Sequence, residues 1–235
     1  MFTISLENQA DIVEKLLRLY YPEGADIIDF TYGTGAIWWN VFENPSLNKR
    51  YQVTACDADP SPKLKEPINK LDLTESDYSH LGKHDIGVFD PPYLIGRPSF
   101  DYPSNEKTMD SGISGTQKVI SMGFQGKRSW SSTNLNKYVC NLTQSIFDER
   151  LDGLKLRAPQ VIKNEGLLFV KLMNPRNNGQ LVDHVWNIKQ RLTNFRIMDE
   201  LIYIRQGATT WKVKGHLQNL HGFWLIFKKK SNEVL

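Results

Sequence analysis

The chain has 235 residues, 40% of them hydrophobic and 23% charged, with a formal net charge of +3 and a sequence pI near 8.7. That profile suits one globular α/β domain with insertions better than two domains, and its mild basicity permits a nucleic-acid partner without requiring one. Cys56 and Cys140 lack disulfide or zinc-ligand spacing, and no apolar run is long enough to span a bilayer. A disulfide scaffold, a structural zinc and a membrane helix are therefore excluded. With no signal peptide in view, a reducing compartment is expected: cytoplasm, nucleoid or an infected host cell.

In chain order, Ala10 to Leu19 carries Ile12, Val13, Leu16, Leu17 and Leu19 on one helical stripe, ended by Pro22 and Gly24. Ile27-Ile28 begins a strand that stops at Gly33-Thr34-Gly35, after which Ile37-Trp38-Trp39 resumes as a helix. Further strands are expected at Tyr51 to Ala55, Ile68 to Leu71 and Ile86 to Phe89. From Leu94 to Thr133 the pattern dissolves into Gly, Ser and Pro with scattered Arg and Lys, an irregular stretch long enough to be functional or disordered. Asn134 is placed to cap a helix bearing Val139, Leu142 and Ile146. A strand at Leu167 to Leu172, a helix at Leu181 to Leu192, and strands at Arg196 to Ile204 and Gly222 to Phe227 complete the chain, with Lys228-Lys229-Lys230 as a solvated strand end. Such alternation calls for a mostly parallel sheet covered on both faces, in one domain spanning residues 1–235 with an insertion at about 94–133. The six tryptophans are expected mostly in the core, Trp224 above all.

Asp29-Phe30-Thr31-Tyr32-Gly33-Thr34-Gly35 lies between a strand and a helix, where glycines let the backbone turn tightly and come close to a ligand. Asp57 sits at the exit of the next strand, a position from which an acid binds ribose hydroxyls. The third glycine of a dinucleotide fingerprint falls on Trp38, which disfavours nicotinamide and flavin dinucleotides but leaves an adenosine without a pyrophosphate well suited. Asp72, after the third strand, could accept an adenine amino group, although a surface acid is the commoner reading.

Asp90-Pro91-Pro92-Tyr93 follows the apolar run ending at Phe89. A carboxylate at a strand's carboxyl end stands where open α/β sheets bind ligands. The two prolines fix φ near −65° and remove two backbone donors, and Asp90 is held extended by the proline after it. A stiff loop results, presenting a carboxylate, carbonyls and an aromatic ring to one small volume. That set suits a planar group bearing an amine; the alternative is a proline-rich strand exit with a solvated acid and a packing Tyr.

In order and type these motifs resemble the S-adenosylmethionine-dependent amino methyltransferases that act on adenine N6 or cytosine N4 of DNA, and the resemblance covers most of the chain. It implies a class I methyltransferase fold: a Rossmann-like three-layer sandwich with a mostly parallel seven-stranded sheet and an antiparallel C-terminal hairpin. It implies S-adenosyl-L-methionine as cofactor, with Asp29, Gly33 and Gly35 around the methionine moiety, Asp57 on the ribose, and Asp72 with Leu73 at the adenine. Thr31 stands where the family usually carries an aromatic cofactor contact. The catalytic set would be Asp90, Pro91, Pro92 and Tyr93.

In that chemistry Asp90 and the Pro91 carbonyl each accept an N–H of the amine, and Tyr93 stacks on a flipped or single-stranded base. No metal is needed. Arg97, Lys107, Lys118, Lys127 and Arg128 surround Phe100, Tyr102, Phe124 and Trp130, a mixture of cations and rings suited to nucleic acid. Arg97, Lys127, Arg128 and Trp130 are the leading candidates for nucleic-acid contact, with Asn174 to Asn178 and the loop around Trp211 as further edges of the cleft. An Asp in the tetrapeptide favours adenine N6 in DNA. The competing readings are an RNA methyltransferase acting on adenine N6 or guanine N2, a glutamine methyltransferase, disfavoured because that group has Asn at this place, and an inactive fold that only binds nucleic acid. With no spare domain, recognition is expected from the insertion and the loops around Arg176 and Trp211, or from a homodimer or an accessory subunit.

Overall fold

The computed structural model describes residues 4–60, 67–91, 144–174, 176–177, 180–204 and 221–231. Helix α1 (Gln9–Tyr20) starts where the Asn8 side chain accepts the Asp11 N–H at 3.0 Å, and it buries Ile12, Val13, Leu16 and Leu17. Strand β2 (Ala25–Asp29) follows, then a 3-10 turn over Ala36–Trp38 and two short helices, α2 (Trp39–Glu43) and α3 (Pro45–Arg50). Asn44 and Pro45 start α3 by a side-chain cap and a pre-set φ. Strands β3 (Tyr51–Asp57), β4 (Asn69–Lys70) and β5 (His84–Phe89) come next. Past residues 92–143, which lie outside the described residues, the chain continues as α4 (Gln144–Val161), β6 (Ile162–Leu172), a small hairpin of β7 (Arg176–Asn177) and β8 (Gln180–Leu181), α5 (His184–Arg191), β9 (Phe195–Ile204) and β10 (His221–Lys229).

The main sheet has eight strands in the order β1-β9-β10-β6-β5-β2-β3-β4, where β1 is Ile4–Ser5. Only β10 runs antiparallel, to both β6 and β9. The seven expected strands are all present, and β1 adds an eighth at the edge beside β9, too short to leave a periodic signal. One apolar cluster joins Ile28, Phe30, Phe89, Leu168 and Val170 to α4 and α5. A second, on the other face, joins Ile27, Val88, Phe169 and Trp224 to α1, α2 and α3. Each fully buried large side chain in these layers contributes roughly 1.5–3 kcal/mol. From β2 the chain steps to β3 and β4 on one side, then returns to the other side at β5. This reversal leaves a crevice outside the carboxyl ends of β2 and β5.

One local expectation is extended and two are corrected. The helix after the insertion is described from Gln144 and runs to Val161, well past Ile146, while Asn134, Val139 and Leu142 lie outside the described residues. Lys229 is buried, its ammonium donating to the carbonyls of Pro159 (2.8 Å) and Ile162 (2.7 Å), so the basic strand end includes a cation serving the end of α4. Trp38 and Trp224 are core, whereas Trp39 and Trp186 are exposed at 64% and 62%; Trp130 and Trp211 lie outside the described residues.

Candidate active site

Two loops leave the sheet side by side at the crevice. The first begins at Asp29, the last residue of β2. Its carboxylate is buried, with Oδ1 accepting the Thr31 N–H at 2.9 Å and Oδ2 accepting the Trp38 indole N–H at 2.6 Å. Burial pushes its pKa up to about 7; the two hydrogen bonds oppose that shift, and the negative charges of Asp90 and Asp57 add to it. Asp29 therefore braces the loop from beneath, and Trp38, where a dinucleotide fingerprint would need glycine, is the brace's other half.

Above it Gly33 and Gly35 have φ of 58° and 69°, in the left-handed region. A Cβ on Gly35 would lie 2.5 Å from the Tyr32 hydroxyl oxygen and 2.7 Å from Cζ of the same ring, so glycine is required there twice over. The Tyr32 N–H donates to the Cys56 carbonyl at 3.0 Å and the Gly33 N–H to Oδ2 of Asp57 at 2.8 Å. Asp57 Oδ1 accepts the Asp59 N–H at 2.9 Å. The glycine loop and the acid at the end of β3 are thus one hydrogen-bonded unit. Beneath them Cys56 is free and buried, its thiol pushed up to about 12 by burial first and then by Asp29 and Asp57.

The second loop begins at Asp90. Its main-chain N–H donates to the Thr31 hydroxyl at 2.7 Å, which ties the two loops together directly. Its Oδ2 accepts from the Lys171 ammonium at 2.7 Å, in a pair whose side chains are only 18% and 10% exposed. Pro91 is buried. Thr31 therefore spends its hydroxyl on joining the loops.

Asp72 lies further along the same edge. Its Oδ1 accepts the N–H and the hydroxyl of Thr74 at 2.9 and 2.7 Å, while Leu73 is 5% exposed and packs with Phe147, Leu151 and Leu154. Of the sequence-derived candidates, the structure thus gathers Asp29, Thr31, Gly33, Gly35, Asp57, Asp90 and Pro91 around the crevice. Pro92, Tyr93, Arg97, Lys127, Arg128 and Trp130 lie outside the described residues, as do the rest of the insertion and the loop around Trp211. Lys171 and Trp38 were missed. The first had a visible signal, a lysine inside the apolar run Leu167 to Leu172; the second had none, since a tryptophan before a helix reads as packing. His184, to which no role was assigned, is buried with its ring centroid 3.9 Å from that of Phe147, and burial presses its pKa down to about 4.

Among the described residues no cluster of His, Cys, Asp and Glu is arranged to hold a metal ion, and no helix is long and apolar enough to cross a membrane. Neither a protein-family model nor a curated protein sequence matches the chain. Solved structures do. One is the Burkholderia thailandensis 1,6-didemethyltoxoflavin-N1-methyltransferase with bound 1,6-didemethyltoxoflavin and S-adenosylhomocysteine. It is 11% identical over 96% of this chain and 80% of that one, with a TM-score of 0.50. Another is the protein described for the conversion of a disulfide bond into a thioacetal group during echinomycin biosynthesis, 11% identical over 97% of this chain and 84% of that one, with a TM-score of 0.51. At such identity the likeness is one of backbone, and it agrees with the strand order and the antiparallel last strand: the chain has the Rossmann-like class I methyltransferase fold.

Proposed function

We propose that this chain is an S-adenosylmethionine-dependent DNA methyltransferase that methylates the exocyclic amine of a flipped base, adenine N6 first. The observation that carries the reading is the hydrogen bond from the Asp90 N–H to the Thr31 hydroxyl. It ties Asp90, just past β5, to the glycine loop at the switch point of the sheet, so a cofactor on that loop would stand beside a substrate amine at Asp90.

The residues suit the cofactor. Asp29, Asp57 and Asp90 lie near one another where the two loops meet, and even with Asp90 paired to Lys171 they offer carboxylate oxygens to a ligand carrying a sulfonium and an ammonium. The left-handed backbone at Gly33 and Gly35 leaves the loop without side chains that would crowd such a ligand, and a Cβ on Gly33 would meet nothing nearer than the Thr31 carbonyl oxygen at 3.8 Å. In this reading Asp57 would take the ribose, and Asp72 with Leu73 the adenine. Bound there, S-adenosylmethionine supplies an electrophilic methyl group.

The chain's own residues act on the amine. A base amine is a weak nucleophile because its lone pair is delocalised into the ring. Asp90 and the Pro91 carbonyl each accept one N–H, drawing the nitrogen toward tetrahedral geometry and stabilising the positive charge that develops on it. Alignment of amine and methyl accounts for much of the remaining acceleration. Tyr93 stacks on the base, an interaction worth about 1–3 kcal/mol. The Asp at position 90 favours adenine over cytosine, and the cations and rings of the insertion, Arg97, Lys127, Arg128 and Trp130 among them, suit a phosphate backbone and unstacked bases. A homodimer or an accessory subunit would extend a recognition surface this short.

The test is to incubate the protein with methyl-labelled cofactor and separate pools of DNA and RNA. Label in DNA is expected. Label in RNA alone would replace DNA by RNA as substrate, and label in neither would overturn the reading.

A further inference from the structure

Lys171 interrupts the apolar run Leu167-Leu168-Phe169-Val170-Lys171-Leu172, and the residue is 8% exposed. An ammonium so deep in a sheet is costly unless an opposite charge matches it. The sheet supplies the match by register. Parallel β5 and β6 pair Phe89 with Val170, and one further step along both strands brings Asp90 beside Lys171, with Nζ 2.7 Å from Oδ2. Strand alternation agrees: Phe89 and Val170 belong to one apolar cluster, Val88 and Phe169 to the other, so Asp90 and Lys171 fall on the face shared with Val88 and Phe169.

We infer that Lys171 is the positioning residue for the amine-binding carboxylate: its ammonium occupies Oδ2 of Asp90 and leaves Oδ1 to accept the N–H of the substrate amine. This rests on the proposed methyl transfer at Asp90. The torsion that turns a carboxylate about its last bond is broad, so an unpinned Asp90 would spread over many orientations. Here the residue is fixed at both ends, its N–H by Thr31 and one oxygen by Lys171. An acceptor held in place before the amine arrives needs no reorganisation when charge develops, which is where such groups gain their catalytic effect.

Lys171→Met keeps the apolar stem and removes the donor. In single-turnover transfer to DNA it should lower the rate about 10²-fold, the scale of a misplaced catalytic group, while S-adenosylhomocysteine affinity by calorimetry stays within about twofold of wild type. Lys171→Arg, which can still bond the carboxylate, should recover part of the rate. The deciding comparison is made in Asp90→Ala: there Lys171→Met should cost far less than in wild type, because the role inferred for Lys171 runs through Asp90. An unchanged rate in Lys171→Met, an additive loss in the double variant, or a fall in cofactor affinity that matches the fall in rate would each overturn the assignment. Should Lys171→Met lose its cooperative urea transition, Lys171→Gln carries the same comparisons. Wild-type protein that binds the cofactor yet methylates nothing would overturn the transfer reading itself and this role with it, a result distinct from a Lys171 variant that matches an active wild type.

Discussion

Replacing Gly35 by alanine adds a single carbon at the tightest point of the glycine loop. Two costs follow from the structure. The φ of 69° places an L-residue in the left-handed region, at about 1–2 kcal/mol. The added Cβ would also lie 2.5 Å from the Tyr32 hydroxyl oxygen and 2.7 Å from Cζ, on a ring that is only 5% exposed and has little room to swing away. Overpacking of this kind commonly costs about 1–3 kcal/mol, giving about 2–5 kcal/mol in all. Gly33→Ala is the internal control. Its φ of 58° carries the same backbone cost, but its Cβ meets only the Thr31 carbonyl oxygen at 3.8 Å, so about 1–2 kcal/mol is expected. Urea unfolding of both variants beside wild type measures the difference, and calorimetry with S-adenosylhomocysteine measures the loop's fitness for the cofactor. Gly35→Ala should lose more stability than Gly33→Ala and should lose cofactor affinity; the bulkier Gly35→Val should abolish binding. Equal stability losses would refute the clash, and wild-type cofactor affinity in a folded Gly35 variant would place the cofactor elsewhere.

Asp90→Ala should reduce methyl transfer by about 10²–10³-fold with cofactor affinity nearly intact, since the lost acceptor faces the amine; wild-type turnover would remove Asp90 from the chemistry. The raised Asp29 pKa has a stability signature. The native carboxyl, at about 7, holds its proton above the unfolded value of about 3.9, so the native state binds the extra proton between those limits. Its contribution is full below about pH 4 and is lost as pH rises to about 7, at no more than about 1.4 kcal/mol per pH unit. Asp29→Asn should flatten the slope of urea stability against pH over that window; an identical slope would show that Asp29 titrates normally. Lys127→Ala with Arg128→Ala should weaken binding about equally on all DNA sequences and flatten its dependence on salt, leaving cofactor affinity unchanged; normal binding and methylation at raised salt would move the nucleic-acid surface elsewhere.

Much of the fold was legible because its strands are apolar runs punctuated by glycine and proline. Ile27-Ile28 before the glycine loop and Ile86 to Phe89 before Asp-Pro-Pro gave the two strands that flank the crevice, and alternation with helices gave the parallel sheet. Ile4–Ser5 escaped notice because a two-residue edge strand is defined by its partner, here Ile202 and Tyr203, and not by its own pattern. The body of α4 was missed for a different reason: Phe147, Leu151 and Leu154 keep helical spacing, but Gly153 and Pro159 inside the segment read as helix breakers. At the site, residue types were readable and partnerships were not. Thr31, Asp57 and Asp90 could be picked out as polar groups at strand exits, but the bonds from Asp90 to Thr31, Gly33 to Asp57 and Trp38 to Asp29 join residues brought together by the sheet or the turn. Lys171 is the instructive case: its burial is written in the sequence, while its partner depends on the β5–β6 register.

The most direct measurement is to digest DNA to nucleosides after reaction with methyl-labelled S-adenosylmethionine and identify the labelled product by chromatography and mass, for wild type and Asp90→Ala side by side. The account predicts N6-methyldeoxyadenosine from wild type and at most a trace from Asp90→Ala. Label on another atom, or the same yield from both proteins, would contradict it.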